Sequence, residues 1–149
     1  MRIFLSHSHE DFILAEALQK LIHDFFPNKI TVEYSSDQSQ GGGIPPGDAW
    51  LPWIMNHIKK ARKTCVLLTP NSTFKPWVLW ESGAAAGLAI SIKPSRQIVP
   101  IIFGIPDKDV PNPFTPAQSI RGDTMRRGGI RRLLQQLNQE LHSPFKKTR

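Results

Sequence analysis

The chain has 149 residues, 40% of them hydrophobic, which is the size of one domain with a real core and too little for two. No apolar run approaches the length of a membrane span, the lone Cys65 permits neither an internal disulfide nor a cysteine metal cluster, and Met1-Arg2-Ile3-Phe4-Leu5 turns polar too soon for a signal peptide. A soluble, cytoplasmic protein without a membrane partner is therefore expected. The net charge of +7 is uneven: residues 1–120 carry 11 basic and 10 acidic side chains, for +1, and residues 121–149 carry 8 and 2, for +6.

Ile3-Phe4-Leu5 reads as a short apolar strand, ended by the polar burst Ser6-His7-Ser8-His9-Glu10-Asp11, the loop at a strand's carboxyl end. A helix follows from about Asp11 to Phe26, with Leu14, Leu18, Leu21, Ile22 and Phe25 on one side, until Pro27-Asn28 stops it. Ile30, Val32 and Tyr34 alternate with Thr31, Glu33 and Ser35, a second strand with one drier face at the sheet edge. Residues 36–48 have no periodicity, and Gly41, Gly42 and Gly43 predict a mobile loop, stiffened at its end by Pro45-Pro46-Gly47. Asp48 is placed to cap a helix from Ala49 to Lys63, where Trp50, Trp53, Ile54, His57, Ile58 and Ala61 fall at core-like spacing.

Cys65 to Leu68 forms a third strand, with Cys65 as a small buried hydrophobe. After a polar turn comes an Ala/Gly-rich helix, Pro76 to Ala89, carrying a single acid, Glu81, near Trp77 and Trp80. Carboxylates are rarely buried unpaired, and Lys75 at the helix start is the only local base, so Glu81 reads either as a pocket acid or as an ordinary surface or capping residue. Residues 98–103 give a fourth, almost wholly apolar strand. The four prolines of residues 104–118 admit at most a short helical turn, and a very short fifth strand falls near Ser119-Ile120. Gly128-Gly129 opens the last helix, Ile130 to Leu141, with Leu133, Leu134, Leu137 and Leu141 as its apolar stripe and Arg131 and Arg132 outward.

This alternation predicts an α/β fold, a three-layer, flavodoxin-like parallel sheet of four to five strands with helices on both faces. Ligands in such folds sit beyond the carboxyl ends of the strands, where residues 6–10, 35–48 and 69–81 converge. Neither phosphate-loop glycine pattern is present, Thr69 stands where a phospho-acceptor acid would end the third strand, and His7, His9 and His57 form no recognisable metal spacing. A lone carboxylate beside aromatic rings suits cleavage of the bond between a ribose and a cationic nicotinamide: the leaving group departs neutral, and an anion steadies charge developing on the anomeric carbon. Phe74, Trp77 or Trp80 could then supply stacking or dry walls, although core packing is the simpler account of any one of them.

Ile3-Phe4-Leu5-Ser6-His7-Ser8 with Glu10-Asp11, Pro46-Gly47 in the loop after the second strand, and Trp77-Val78-Leu79-Trp80-Glu81 resemble, in order and spacing, the motifs of a TIR (Toll/interleukin-1 receptor) domain of the prokaryotic NAD-cleaving type. The resemblance covers residues 1–142 and leaves 143–149 as a basic tail or the start of a linker. It implies an NAD+ nucleosidase that releases nicotinamide and gives ADP-ribose or a cyclic isomer, with NAD+ as substrate and no cofactor. By the same resemblance Glu81 is the catalytic carboxylate, Ser6, His7 and Ser8 line the nucleotide mouth, Trp77 packs beside Glu81, and Phe74 contacts the nicotinamide side. Gly43, Ile44, Pro46, Gly47 and Asp48 belong to an assembly loop, through which head-to-tail contacts build an active homo-oligomer or filament. A sensor domain or subunit and a role in antiviral defence are also implied; Arg121, Arg126, Arg127, Arg131 and Arg132 raise nucleic-acid binding as a further reading, but no aromatics interleave them, so a solvated face or an acidic partner module is expected rather than a direct nucleic-acid partner. The chain would be a separate subunit or a piece of a longer protein, and its SPFKKTR end favours the latter. Two departures stand out: Gly41-Gly42-Gly43-Ile44 replaces the family's Arg-Asp pair before Pro-Gly, and the Phe-Trp element of its last helix region is missing. The alternatives are a TIR-like interaction module without turnover and an enzyme resembling nucleoside deoxyribosyltransferases.

Overall fold

The computed structural model describes residues 1–36, 47, 49–91, 97–115, 118–124 and 128–142. Five strands, Arg2–Ser6 (β1), Thr31–Glu33 (β2), Lys63–Leu68 (β3), Gln97–Ile102 (β4) and Ile120–Arg121 (β5), pair in parallel in the order β2-β1-β3-β4-β5. Between and after them run helices Phe12–Phe25 (α1), Trp50–Lys60 (α2), Pro76–Ser91 (α3) and Gly129–His142 (α4). This is the expected three-layer, flavodoxin-like α/β fold. The strand order reverses between β1 and β3, which opens a crevice beyond their carboxyl ends.

Period-two alternation sorts the core. Ile3 and Leu5 of β1, Cys65 and Leu67 of β3, and Val99 and Ile101 of β4 face Ala15, Leu18 and Ile22 of α1 and Leu133 and Leu137 of α4. The residues between them face the other way: Phe4 meets Ile54 and Ile58 of α2 and Ala85 of α3, while Val66, Leu68 and Ile102 meet Val78 of α3. Ser6 follows Phe4 in this alternation and so belongs to the α2/α3 side.

Some expectations shift at the element ends. Helix α1 closes at Phe25, and the chain turns so that Phe26 is buried in place of Phe25, which is exposed. Helix α2 stops at Lys60 rather than Lys63, because Lys63 already pairs with Ile3 as the first residue of β3. Lys63 is buried, its ammonium 2.6 Å from the Glu140 carboxylate of α4 and donating to Gln97 Oε1. The strand β2 lies at the sheet edge, where α1 covers its free backbone groups: Val32 N–H donates to His23 Nε2 (3.1 Å) and the Gln19 amide donates to Val32 O (2.9 Å). A 3-10 turn, Asp107–Asp109, lies in the proline-rich stretch, as expected of a short helical turn there. At the start of α4, Gly129 has φ +47, and a Cβ there would stand 2.4 Å from Thr124 O.

Among the described residues no helix is long and apolar enough to cross a membrane, and no cluster of three or more metal-ligating side chains occurs. Gly43, Ile44, Pro46 and Asp48 of the expected assembly loop, and the tail 143–149, lie outside the described residues. Gly47, which is described, takes φ +86, a left-handed conformation that suits glycine just ahead of α2.

Candidate active site

Helix α3 turns Val78, Glu81, Ser82 and Ala85 inward, a stripe at three- and four-residue spacing, and this puts a carboxylate in the buried layer. Glu81 is 1% exposed. Its partner comes from 75 residues upstream: Ser6 Oγ, at the end of β1, donates to Glu81 Oε2. The other oxygen, Oε1, is buried with no hydrogen-bond partner. Burial pushes the carboxyl pKa up to about 7, against the opposing influence of the Ser6 hydrogen bond and the nearby Trp77 indole. One carboxylate oxygen is thus held by Ser6 and the other has no hydrogen-bond partner.

A cleft of about 240 Å³ lies beside this acid, lined by His7, His9, Ser35, Ser36, Trp50, Ile54 and Trp77. Glu81 itself does not line it. Trp77, one helical turn before Glu81, does, and it anchors a row of indoles: its centroid is 4.8 Å from that of Trp50 at 66°, and 5.4 Å from that of Trp80 at a near-parallel 21°. Helical spacing places Trp50 in the core, yet it is 51% exposed, because α2 begins at the cleft rim. His7 Nε2 lies 2.6 Å from Ser36 Oγ, and Tyr34 meets the His7 ring edge-on at 5.3 Å. Burial lowers the His7 pKa, which favours the neutral ring.

The loop carrying His7 is held by a residue whose role sequence reasoning missed. Asp11, read there as the opening of a helix, is buried and accepts three side-chain hydrogen bonds: Ser8 Oγ (2.6 Å) and Thr69 Oγ1 (2.6 Å) to Oδ2, and Asn71 Nδ2 (2.8 Å) to Oδ1. This staples the end of β1 to the turn before α3. Ser72 completes that turn by accepting from Thr69 N–H and donating to Leu67 O. Lys75, at the foot of α3, pairs with Glu10 at 2.6 Å.

Of the residues expected in the site, Glu81, Ser6, His7 and Trp77 come together. Two do not. Ser8 is buried and turned to Asp11 rather than lining the mouth, and Phe74 is 82% exposed, outside the cleft lining. Trp50, expected in the core, is a cleft residue, and so is Ser36, which lies in the converging stretch 35–48 but was not singled out within it; the signals available were Ser36's place just past the second strand and Trp50's at a helix start. His57 is a packing residue, as its position suggested, stacked on Trp53 at 3.7 Å with Nδ1 donating to Trp53 O. A larger cavity, about 840 Å³, lies on the opposite face between α1 and α4, walled mainly by Leu21, Phe25, Phe26, Ile130 and Leu134, away from the acid.

A family model described as TIR domain matches residues 3–138. No curated protein matches the sequence at a significant level. Among solved structures, the TIR domains of the activated Roq1 resistosome, a complex described as directly recognizing the pathogen effector XopQ, superpose with a TM-score of 0.58 at 16% identity. That match covers 72% of this chain and 60% of the other.

Proposed function

Because the chain belongs to the TIR-domain family, we propose that it is an NAD+ nucleosidase in which Glu81 steadies the ribosyl cation formed as nicotinamide leaves. The observation that carries this reading is the pairing of Ser6 with one oxygen of a buried Glu81 whose other oxygen has no partner, directly behind an aromatic-walled cleft. Nicotinamide departs with the electron pair of the C1′–N bond and becomes neutral, so no general acid is required. A carboxylate in a dry site supplies the stabilisation, and its field is strong because Trp77 and the sheet exclude water. Trp77 and Trp50 offer flat apolar faces for the base or the nicotinamide ring. NAD+ acts as substrate and no cofactor takes part.

Glu81 sits behind the cleft wall, so a shift of Trp77 or Ser6 must bring it to the sugar. Head-to-tail assembly through the loop of residues 43–48 is the natural driver, with a sensor domain or subunit setting when it occurs. A defence effector that exhausts cellular NAD+ in the cytoplasm fits this logic. The closed position of Glu81 is also what favours a second reading, a TIR module that joins partners without turnover.

Nicotinamide release from NAD+ by concentrated or artificially clustered protein, with Glu81→Ala as control, decides between the two. Release that disappears in the variant is expected. No release at any degree of clustering leaves the interaction module as the function.

A further inference from the structure

Glu81 accounts for the departure of nicotinamide but leaves the second half of the reaction without a proton acceptor. Water that captures the ribosyl cation must lose a proton, and a positioned base speeds that loss. Two residues of the cleft wall are already arranged as such a base. The His7 ring has a carbonyl, Leu5 O, at 3.5 Å from Nδ1 and the Ser36 hydroxyl at 2.6 Å from Nε2. A carbonyl only accepts, so the ring hydrogen sits on Nδ1 and Nε2 is free to take the Ser36 proton. The edge contact from Tyr34 fixes the ring plane, and both His7 and Ser36 line the cleft with Trp77. Ser36 is half-buried and lines the cleft, and with its own proton turned to His7 its oxygen keeps lone pairs to accept from a water there.

We infer, resting on the NAD+-cleaving reading, that Ser36 and His7 form a relay that deprotonates the water attacking the anomeric carbon. The C1′–N bond breaks first, with its electron pair leaving on nicotinamide. The water oxygen then bonds to C1′ and its proton passes to Ser36 Oγ while the Ser36 proton passes to His7 Nε2. The imidazolium afterwards releases that proton to solvent. Atoms and charge balance with water as the only co-reactant. Neutral His7, favoured by its burial, is the form this relay needs.

The relay acts only on the capture step, so it is read from how the cation partitions. The clustered full chain is supplied with NAD+ and labelled free nicotinamide, and two products are measured together: ADP-ribose, from water, and labelled NAD+, from return of nicotinamide, which has no proton to lose. The ratio of ADP-ribose to labelled NAD+ is expected to fall on the order of 100-fold in Ser36→Ala and in His7→Gln. Ser36→Thr, which keeps the hydroxyl, is expected to restore it. Because the ratio is taken within folded, active molecules, lost stability does not change it. A ratio in Ser36→Ala equal to that of the unsubstituted chain overturns the relay while leaving Glu81 chemistry standing. Exchange without any ADP-ribose in the unsubstituted chain overturns it too. Absence of both exchange and release overturns the parent reading and the relay with it.

Discussion

Glutamine in place of Glu81 removes a charge that the fold holds at a cost, and the size of that cost follows from the site. The carboxyl pKa rises from an ordinary 4.5 to about 7, burial being the largest cause. One pKa unit corresponds to about 1.4 kcal/mol, so ionising Glu81 costs on the order of 3 kcal/mol more in the native state than in the unfolded chain. Since the native state holds the proton more tightly, this contribution to stability is full below about pH 4.5 and is lost as pH rises through about 7. An amide does not ionise and escapes the loss. Its oxygen still accepts from Ser6, while its NH₂ meets the space where Oε1 has no partner, a penalty that is the same at every pH.

The stability of Glu81→Gln relative to the unsubstituted chain should therefore climb by about 3 kcal/mol between about pH 4 and pH 8.5. For a domain of this size that is roughly 6 to 12 °C in melting temperature. Urea unfolding across this range measures it, and taking the difference between the two proteins cancels the titration of other groups. Parallel pH profiles for both proteins would refute the reasoning. The same substitution should lower nicotinamide release at least about 100-fold, because a neutral amide gives the ribosyl cation no counter-charge.

Ser6→Ala deletes a hydrogen bond that favours the Glu81 anion, so the Glu81 pKa should move further up and the acid limb of the rate of nicotinamide release should shift to higher pH; an unmoved limb contradicts the pairing. Asp11→Ala leaves Ser8, Thr69 and Asn71 without their shared acceptor and should cost roughly 3 kcal/mol in urea unfolding, with Asp11→Asn costing less. Glu140→Ala strands the buried ammonium of Lys63 with only Gln97 and should destabilise by about 3 kcal/mol, while the double change Lys63→Met with Glu140→Leu should recover most of the loss. If the double variant is no more stable than Glu140→Ala, the loss did not come from an uncompensated charge.

The fold was legible because its information is local. Alternation in Ile30, Val32 and Tyr34 and the helical spacing of Leu133 and Leu137 state which face is dry without reference to anything distant, and all five of those side chains are buried. The polar sites obey a different rule. Lys63 reads locally as a helix end, and its burial depends on Glu140 in the last helix; Asp11 reads locally as a helix start, and its three donors include Thr69 and Asn71, in the turn after the adjacent strand β3. Nothing in a short window records such a partner. Within its own window Glu81 stood out as an acid lacking a neighbour, a local anomaly that pointed to a distant solution.

That solution was partly recoverable from the same local rule. Period two in β1 puts Ser6 on the side of Phe4, and the inward stripe of α3 puts Glu81 on the side of Val78 and Ala85, so two local patterns, once the helix is assigned to the α2/α3 face, bring the hydroxyl and the carboxylate together. Trp50 shows where the rule stops. Periodicity reports that a side chain faces the protein's interior side of a helix, and at the first turn of α2 that side is the wall of a cleft rather than packed core. Core and cleft wall demand the same residue types, and only the end of a neighbouring strand, here the polar loop of His7 to His9, separates them.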